Sequence, residues 1–134
     1  MGEASFEVVD GVAWFRMTGQ QELEDGVQQI ADAIARTKAS GLDKLLVDIR
    51  RISGVQPPGV ALRHWLMGEW AREGRASVRV AIVTRPEFID PDRVGIIAGL
   101  NAGFVSNIFE DDDRALDWLL GRRGRDASNP APSG

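Results

Sequence analysis

The chain has no cysteine and a single histidine. Without a thiol there can be no disulfide, thiolate zinc site, iron–sulfur cluster or cysteine nucleophile. That absence agrees with a reducing cytoplasm, the expected location. No apolar run approaches the ~20 residues that a membrane-spanning helix needs. The opening Met1-Gly2-Glu3-Ala4-Ser5 lacks the basic-then-apolar pattern of a signal peptide. Neither standard spacing of a glycine-rich phosphate loop occurs, and no serine sits in a recognisable nucleophile motif. A net charge of −4 argues against a dedicated nucleic-acid binder. The charge is uneven, however. Residues 1–35 carry seven acids and one arginine, whereas residues 36–109 carry eleven bases and seven acids. A locally basic patch is therefore compatible with the acidic total.

What is present describes one domain. The 134 residues, 43% apolar and 27% charged, are enough to bury a real core. Residues 1–122 are expected to form it, with a disordered Pro-, Ser- and Gly-containing tail over 123–134. The chain is organised around Lys44-Leu45-Leu46-Val47-Asp48-Ile49-Arg50, a short apolar run between charged residues. It fits a central strand covered on both faces. The loop Arg51 to Gly59 follows, ending in Pro57-Pro58-Gly59, where proline reads as a helix start. Such a strand-to-helix turn is where an open α/β domain places its site, and the N–H groups at the helix start favour an anion.

The remaining elements follow from pattern. Ser5 to Val9 and Val12 to Thr18 flank Asp10-Gly11, a hairpin signal. Val12 and Trp14 point one way; Ala13, Phe15 and Met17 point the other. Both faces of this strand are thus partly apolar. Either a terminus or loop covers the second face, or Trp14, Phe15 and Met17 mark a dimer interface. Leu23, Val27, Ile30 and Ile34 recur at helical spacing, predicting a helix over about 22–39 that Ser40-Gly41 stops. A second helix is predicted over about 58–72, with Val60, Leu66, Met67 and Trp70 as its buried stripe. Val78 to Val83 reads as a strand. Asp90-Pro91 opens a helix through Val94, Ile97 and Leu100. Val105 to Phe109 is the last strand, and Asp111 to Asp113 start a final helix carrying Ala115, Leu116, Leu119 and Leu120. The order β-β-α-β-α-β-α-β-α implies an α/β fold with right-handed crossovers and a mixed, mostly parallel sheet.

Several of these stretches resemble a known family. Leu45-Leu46-Val47-Asp48-Ile49-Arg50, Arg79-Val80-Ala81-Ile82-Val83 and the closing Val105 to Asp111 with Ala115-Leu116-Asp117-Trp118-Leu119 look like a STAS-type domain. More closely, they resemble the bacterial SpoIIAA-like group. The resemblance covers about residues 4–121 and implies helices largely on one side of the sheet. It implies a fold rather than a reaction. The anti-sigma-factor antagonists of this family switch by phosphorylation of a serine in an Asp-Ser-Ser-Gly or Asp-Ser-Thr-Gly turn. That turn corresponds here to Gln56-Pro57-Pro58-Gly59. Only the glycine matches; the acceptor position holds Pro58, which has no hydroxyl, and the aspartate position holds Gln56.

For chemistry, the candidates are few. Arg50, Arg51 and Arg63, with His64 and Trp65 on the second helix, form the candidate ligand or anion site; the plainer reading is a solvated basic surface. No catalytic residue, metal or cofactor is expected. Trp65 and Trp70 lie five apart on one helix, roughly 140° around its axis, so one stripe cannot hold both. Three functions are open. The first is a non-catalytic STAS-like regulatory module that binds another protein or itself as a homodimer. The second is a carrier or sensor for a small apolar or anionic ligand, which would need an apolar cavity beside Trp65 or Trp70. The third is an enzyme using His64, which would need a carboxylate partner inside a cleft.

Overall fold

The Asp10-Gly11 pair turns with both residues at positive φ, 52° and 81°, the geometry that a two-residue hairpin requires. It joins β1 (Glu3–Val9) to β2 (Val12–Gln20) in an antiparallel pair. The computed structural model describes residues 2–57, 59–74, 77–89 and 103–121. Pro58, the Val60 side chain, the helix expected from Asp90 and the tail from residue 123 lie outside the described residues.

After the hairpin come α1 (Leu23–Ala39), β3 (Lys44–Ser53), α2 (Val60–Gly74), β4 (Arg79–Val83), β5 (Ser106–Phe109) and α3 (Asp112–Leu119). The strands lie in sequence order, β1-β2-β3-β4-β5, and every pairing after the first is parallel. The mixed, mostly parallel sheet read from the alternation of elements is the sheet observed.

Helices α1 and α2 cover one face. Val27, Ile30, Ala31 and Ile34 of α1 are buried, and its acidic first turn and basic last turn complement the helix dipole. Leu66, Met67 and Trp70 of α2 are buried beside them. The Trp70 indole Nε1 donates to the Val27 carbonyl at 3.0 Å, fastening the two helices together. Beneath lie Ala13, Phe15 and Met17 of β2, Leu45, Val47 and Ile52 of β3, and Val80 and Ile82 of β4. Helix α3 covers the opposite face, where Ala115 and Leu119 meet Val12, Leu46, Ala81 and Val83. Its N-cap is Asp111, whose Oδ1 accepts from the Arg114 N–H at 2.8 Å.

Two expectations change here. The second apolar face of β2 is covered by α3 of the same chain, with Trp14 half-buried at its margin. Phe15 and Met17 face the helical layer and are only 7% and 2% exposed. They are core residues, and of the three proposed interface residues only Trp14 reaches solvent. The other change concerns length. β3 runs on through Arg51, Ile52 and Ser53, which pair with Thr18, Gly19 and Gln20 after a bulge that sets Arg16/Asp48 and Thr18/Arg51 as successive pairs. The bulge absorbs one extra residue of β3 and lets the ladder continue. Arg51 is therefore a strand residue, and β2 likewise runs past Thr18 through Gly19 to Gln20.

Candidate functional site: an apolar cleft at the strand ends

At the C-terminal ends of the parallel strands, the sheet and its two covering helices do not close on one another. They leave a cleft of about 110 Å³. Its floor is Met17, Ile49, Ile52, Ile82 and Ile108, drawn from four strands and their exits. One wall is α1, through Leu23, Gly26, Val27 and Ile30; the facing wall is α2, through Leu66, Met67 and Trp70. Val55 and Phe88 close the ends. The apolar lining follows from the pattern that builds the core: strand residues alternate onto this face, and the helix stripes meet them.

Among the described residues, four polar side chains line this space: Gln21, Glu22, Arg63 and Thr84. Gln21 is engaged. Its amide Nε2 donates to the Thr18 carbonyl at 3.1 Å, and its Oε1 accepts from Gln29 Nε2 at 3.1 Å. Arg63 Nη1 reaches the Phe88 carbonyl at 3.4 Å. Glu22, the residue before α1, is exposed. Thr84 differs from the other three. It is 1% exposed, its N–H is bonded to the Phe109 carbonyl, and its hydroxyl has no hydrogen-bond partner among the described residues.

The residues singled out from sequence do not form one site. Arg50 lies on the α3 side of the sheet. Its guanidinium donates to Asp48 Oδ1 at 3.1 Å and Oδ2 at 2.9 Å, and to Asp112 Oδ1 at 2.9 Å. Arg16 Nη1 donates to the same Asp48 carboxylate at 2.8 Å. Burial alone would push the Asp48 carboxyl up. The side-chain and backbone hydrogen bonds from Arg50, with the charges of Arg50 and Arg16, outweigh it and hold the group below its ordinary value. Asp48 likewise raises the Arg50 guanidinium. This cluster is a clamp that docks the start of α3, with its charges matched. Arg51 is exposed on β3. Arg63 stands at the edge of the cleft, while His64 and Trp65 lie exposed on the outer side of α2. The sheet thus separates Arg50 from Arg63. Among the described residues, no group of His, Asp and Glu is placed to hold a metal ion.

Thr84 and the α1 wall escaped the sequence reading. The one available signal was a polar residue directly after the apolar run Val80 to Val83, at the end of a parallel strand. Binding groups collect at such positions.

No protein-family model matches the chain, and no curated protein matches it in sequence. Solved structures do. An anti-sigma factor antagonist from Mycobacterium paratuberculosis superposes with a TM-score of 0.56 at 20% identity, over 90% of this chain and 95% of that chain. An uncharacterized protein of the DUF3478 family with a SpoIIAA-like fold, from Shewanella loihica PV-4, superposes with a TM-score of 0.51 at 20% identity, over 88% of this chain and 93% of that chain. The chain has the SpoIIAA-like α/β fold. At this level of identity the likeness concerns architecture.

Proposed function

We propose that the chain is a non-catalytic SpoIIAA-like module that binds a small, largely apolar molecule in the cleft, as a carrier or sensor. The observation behind this reading is the cleft itself: aliphatic and aromatic on floor and walls, with Trp70 lining it. Small-molecule sites have this character, a mostly apolar concavity with few polar groups, at the strand ends of an α/β sheet. The test is a ¹H–¹⁵N NMR titration with toluene. Shifts should concentrate on α1, α2 and the ends of β3 and β4, and Ile82→Phe, which fills the floor, should abolish them. Shifts scattered over the surface, or none at millimolar toluene, would sink the reading.

A second reading is regulation by protein contact, and one observation favours it. Leu62 and Trp65 are 44% and 40% exposed on the outer side of α2, a place where large apolar groups invite a partner. A structurally similar protein is an anti-sigma factor antagonist. Regulation here would differ from a phosphorylation switch, because Gln56, Pro57 and Pro58 offer no hydroxyl in the corresponding turn. Self-association is the simplest case. Native mass spectrometry should then give a dimer that Trp65→Glu converts to a monomer; a wild-type monomer would remove self-association from consideration.

A further inference from the structure

Strand β1 stands at one end of the sheet order, and six of its seven residues are exposed. We propose that the free edge of β1 is a docking site for an extended, basic segment of another protein, which joins the sheet as a further strand. This goes beyond the cleft and does not depend on it.

The register fixes which backbone groups are free. Val9 and Val12 flank the two-residue turn and pair directly, and such a pair exchanges both of its hydrogen bonds. Bonded and non-bonded positions then alternate along the strand. Glu3, Ser5, Glu7 and Val9 therefore direct their N–H and C=O groups toward β2, whereas those of Ala4, Phe6 and Val8 point outward. Among the described residues, no strand lies on that side. Native edges are commonly protected by proline, lysine, a bulge or a very short strand. β1 has none of these. Its seven pairs with β2 run without a register shift, and it carries neither proline nor lysine.

Charge selects the partner. Alternation puts Glu3 and Glu7 on the face away from α1, four residues apart and both exposed. Among the described residues, no cation pairs with either. Arg16, on the neighbouring strand, is held by Asp48 and Asp112. A partner strand sets one side chain beside each glutamate, whether it runs parallel or antiparallel, and a cation there gains from the pairing. The other face is different. Arg36 lies over the Phe6 ring at 4.2 Å and Val8 is 50% exposed, so apolar side chains fit beside them and a second cation is repelled. The matching strand thus alternates, with cations four apart on one face and apolar side chains on the other. A second copy of this chain fits poorly, because it would line up its own Glu3 and Glu7 along the same face.

The test uses three end-capped peptides. One is Lys-Val-Thr-Val-Lys-Val-Thr and one is its glutamate counterpart. The third, Lys-Val-Thr-Lys-Val-Thr-Val, has the composition of the first but puts its lysines on opposite faces. Each is titrated into the whole chain at low salt and followed by NMR amide hydrogen exchange. The first peptide should slow exchange severalfold at Ala4, Phe6 and Val8, and leave Ser5, Glu7 and Val9, already bonded, unchanged. The other two should bind at least about threefold more weakly. Glu3→Lys with Glu7→Lys should weaken the first peptide about tenfold and admit the glutamate peptide in its place. Ala4→Pro removes one outward N–H at an edge, where proline is tolerated, and should abolish the protection while keeping the fold. If that variant fails to fold, the charge reversal on two exposed residues still decides the matter. No protection by any peptide, or equal affinity for all three, would overturn the proposal. So would protection of the same amides that rises with protein concentration alone, which would make the edge a contact between copies.

Discussion

Replacing Trp70 by alanine is expected to cost the fold about 3–5 kcal/mol and to enlarge the cleft in the same step. The indole is 5% exposed and packs where α1, α2 and the sheet meet. Its removal forfeits a large buried area and leaves a void that the helices close only in part. The hydrogen bond from its Nε1 to the Val27 carbonyl also disappears, loosening the pair of helices that forms both walls. Urea unfolding read by far-UV circular dichroism measures the loss. Trp70→Phe separates the contributions, retaining most of the packing and losing the bond, and should cost about 1–2 kcal/mol. A Trp70→Ala variant as stable as the wild type would mean that the helices do not meet as described. If that variant folds, it should accept molecules larger than toluene.

The second large effect lies on the other side of the sheet. Asp48→Asn is expected to lose about 1–3 kcal/mol near neutral pH, because one carboxylate serves two guanidiniums there. Asp48 itself is 8% exposed in its side chain, whereas Arg16 and Arg50 are 40% and 32% exposed. Solvent therefore screens their share of the interaction and holds the effect below that of a fully buried pair. The carboxyl is held below its ordinary value of 3.8 in the folded chain. A lowered folded pKa means that the unfolded chain takes up the proton first on acidification. The contribution is present in full above the unfolded value and is lost as pH falls through the folded one. The stability gap between wild type and Asp48→Asn should thus be constant from pH 7 to about 5 and shrink below about 4. Urea midpoints for both proteins at pH 7, 5, 4 and 3 check this. A gap of unchanged size at pH 3 would show that Asp48 acts through shape and neutral bonding alone.

The architecture was written in short-range patterns, and those patterns were readable. The Asp10-Gly11 turn, the spacing of Val27, Ile30 and Ile34, and the unbroken Leu45-Leu46-Val47 each report a local physical requirement. What could not be read depends on pairings across long sequence separations. Arg50 meets Asp112, sixty-two residues away, on the face opposite α2; from spacing alone it appeared to be a neighbour of Arg63. Strand alternation separated Trp14 from Phe15 and Met17, but not which face each helix would take. The extension of β3 through Ser53 depends on a bulge, a feature of the partner strand as much as of its own residues. The cleft is the least legible of all. It is a volume left over when helices of fixed length meet strands of fixed length, and no single residue encodes it.

The position of α3 has a consequence for how the chain is born. Strands laid side by side in sequence order let each new one find its neighbour already made as the polypeptide leaves the ribosome. Helix α3 breaks this convenience. Val12, Leu46, Ala81 and Val83 are in place once β4 has emerged, but their cover begins only at Asp112. For a time on the order of seconds at ordinary elongation rates, a finished apolar surface stands uncovered. The nascent chain is at its stickiest in that interval, and the arrival of Asp112 at the waiting guanidiniums of Arg50 and Arg16 is the event that ends that exposure.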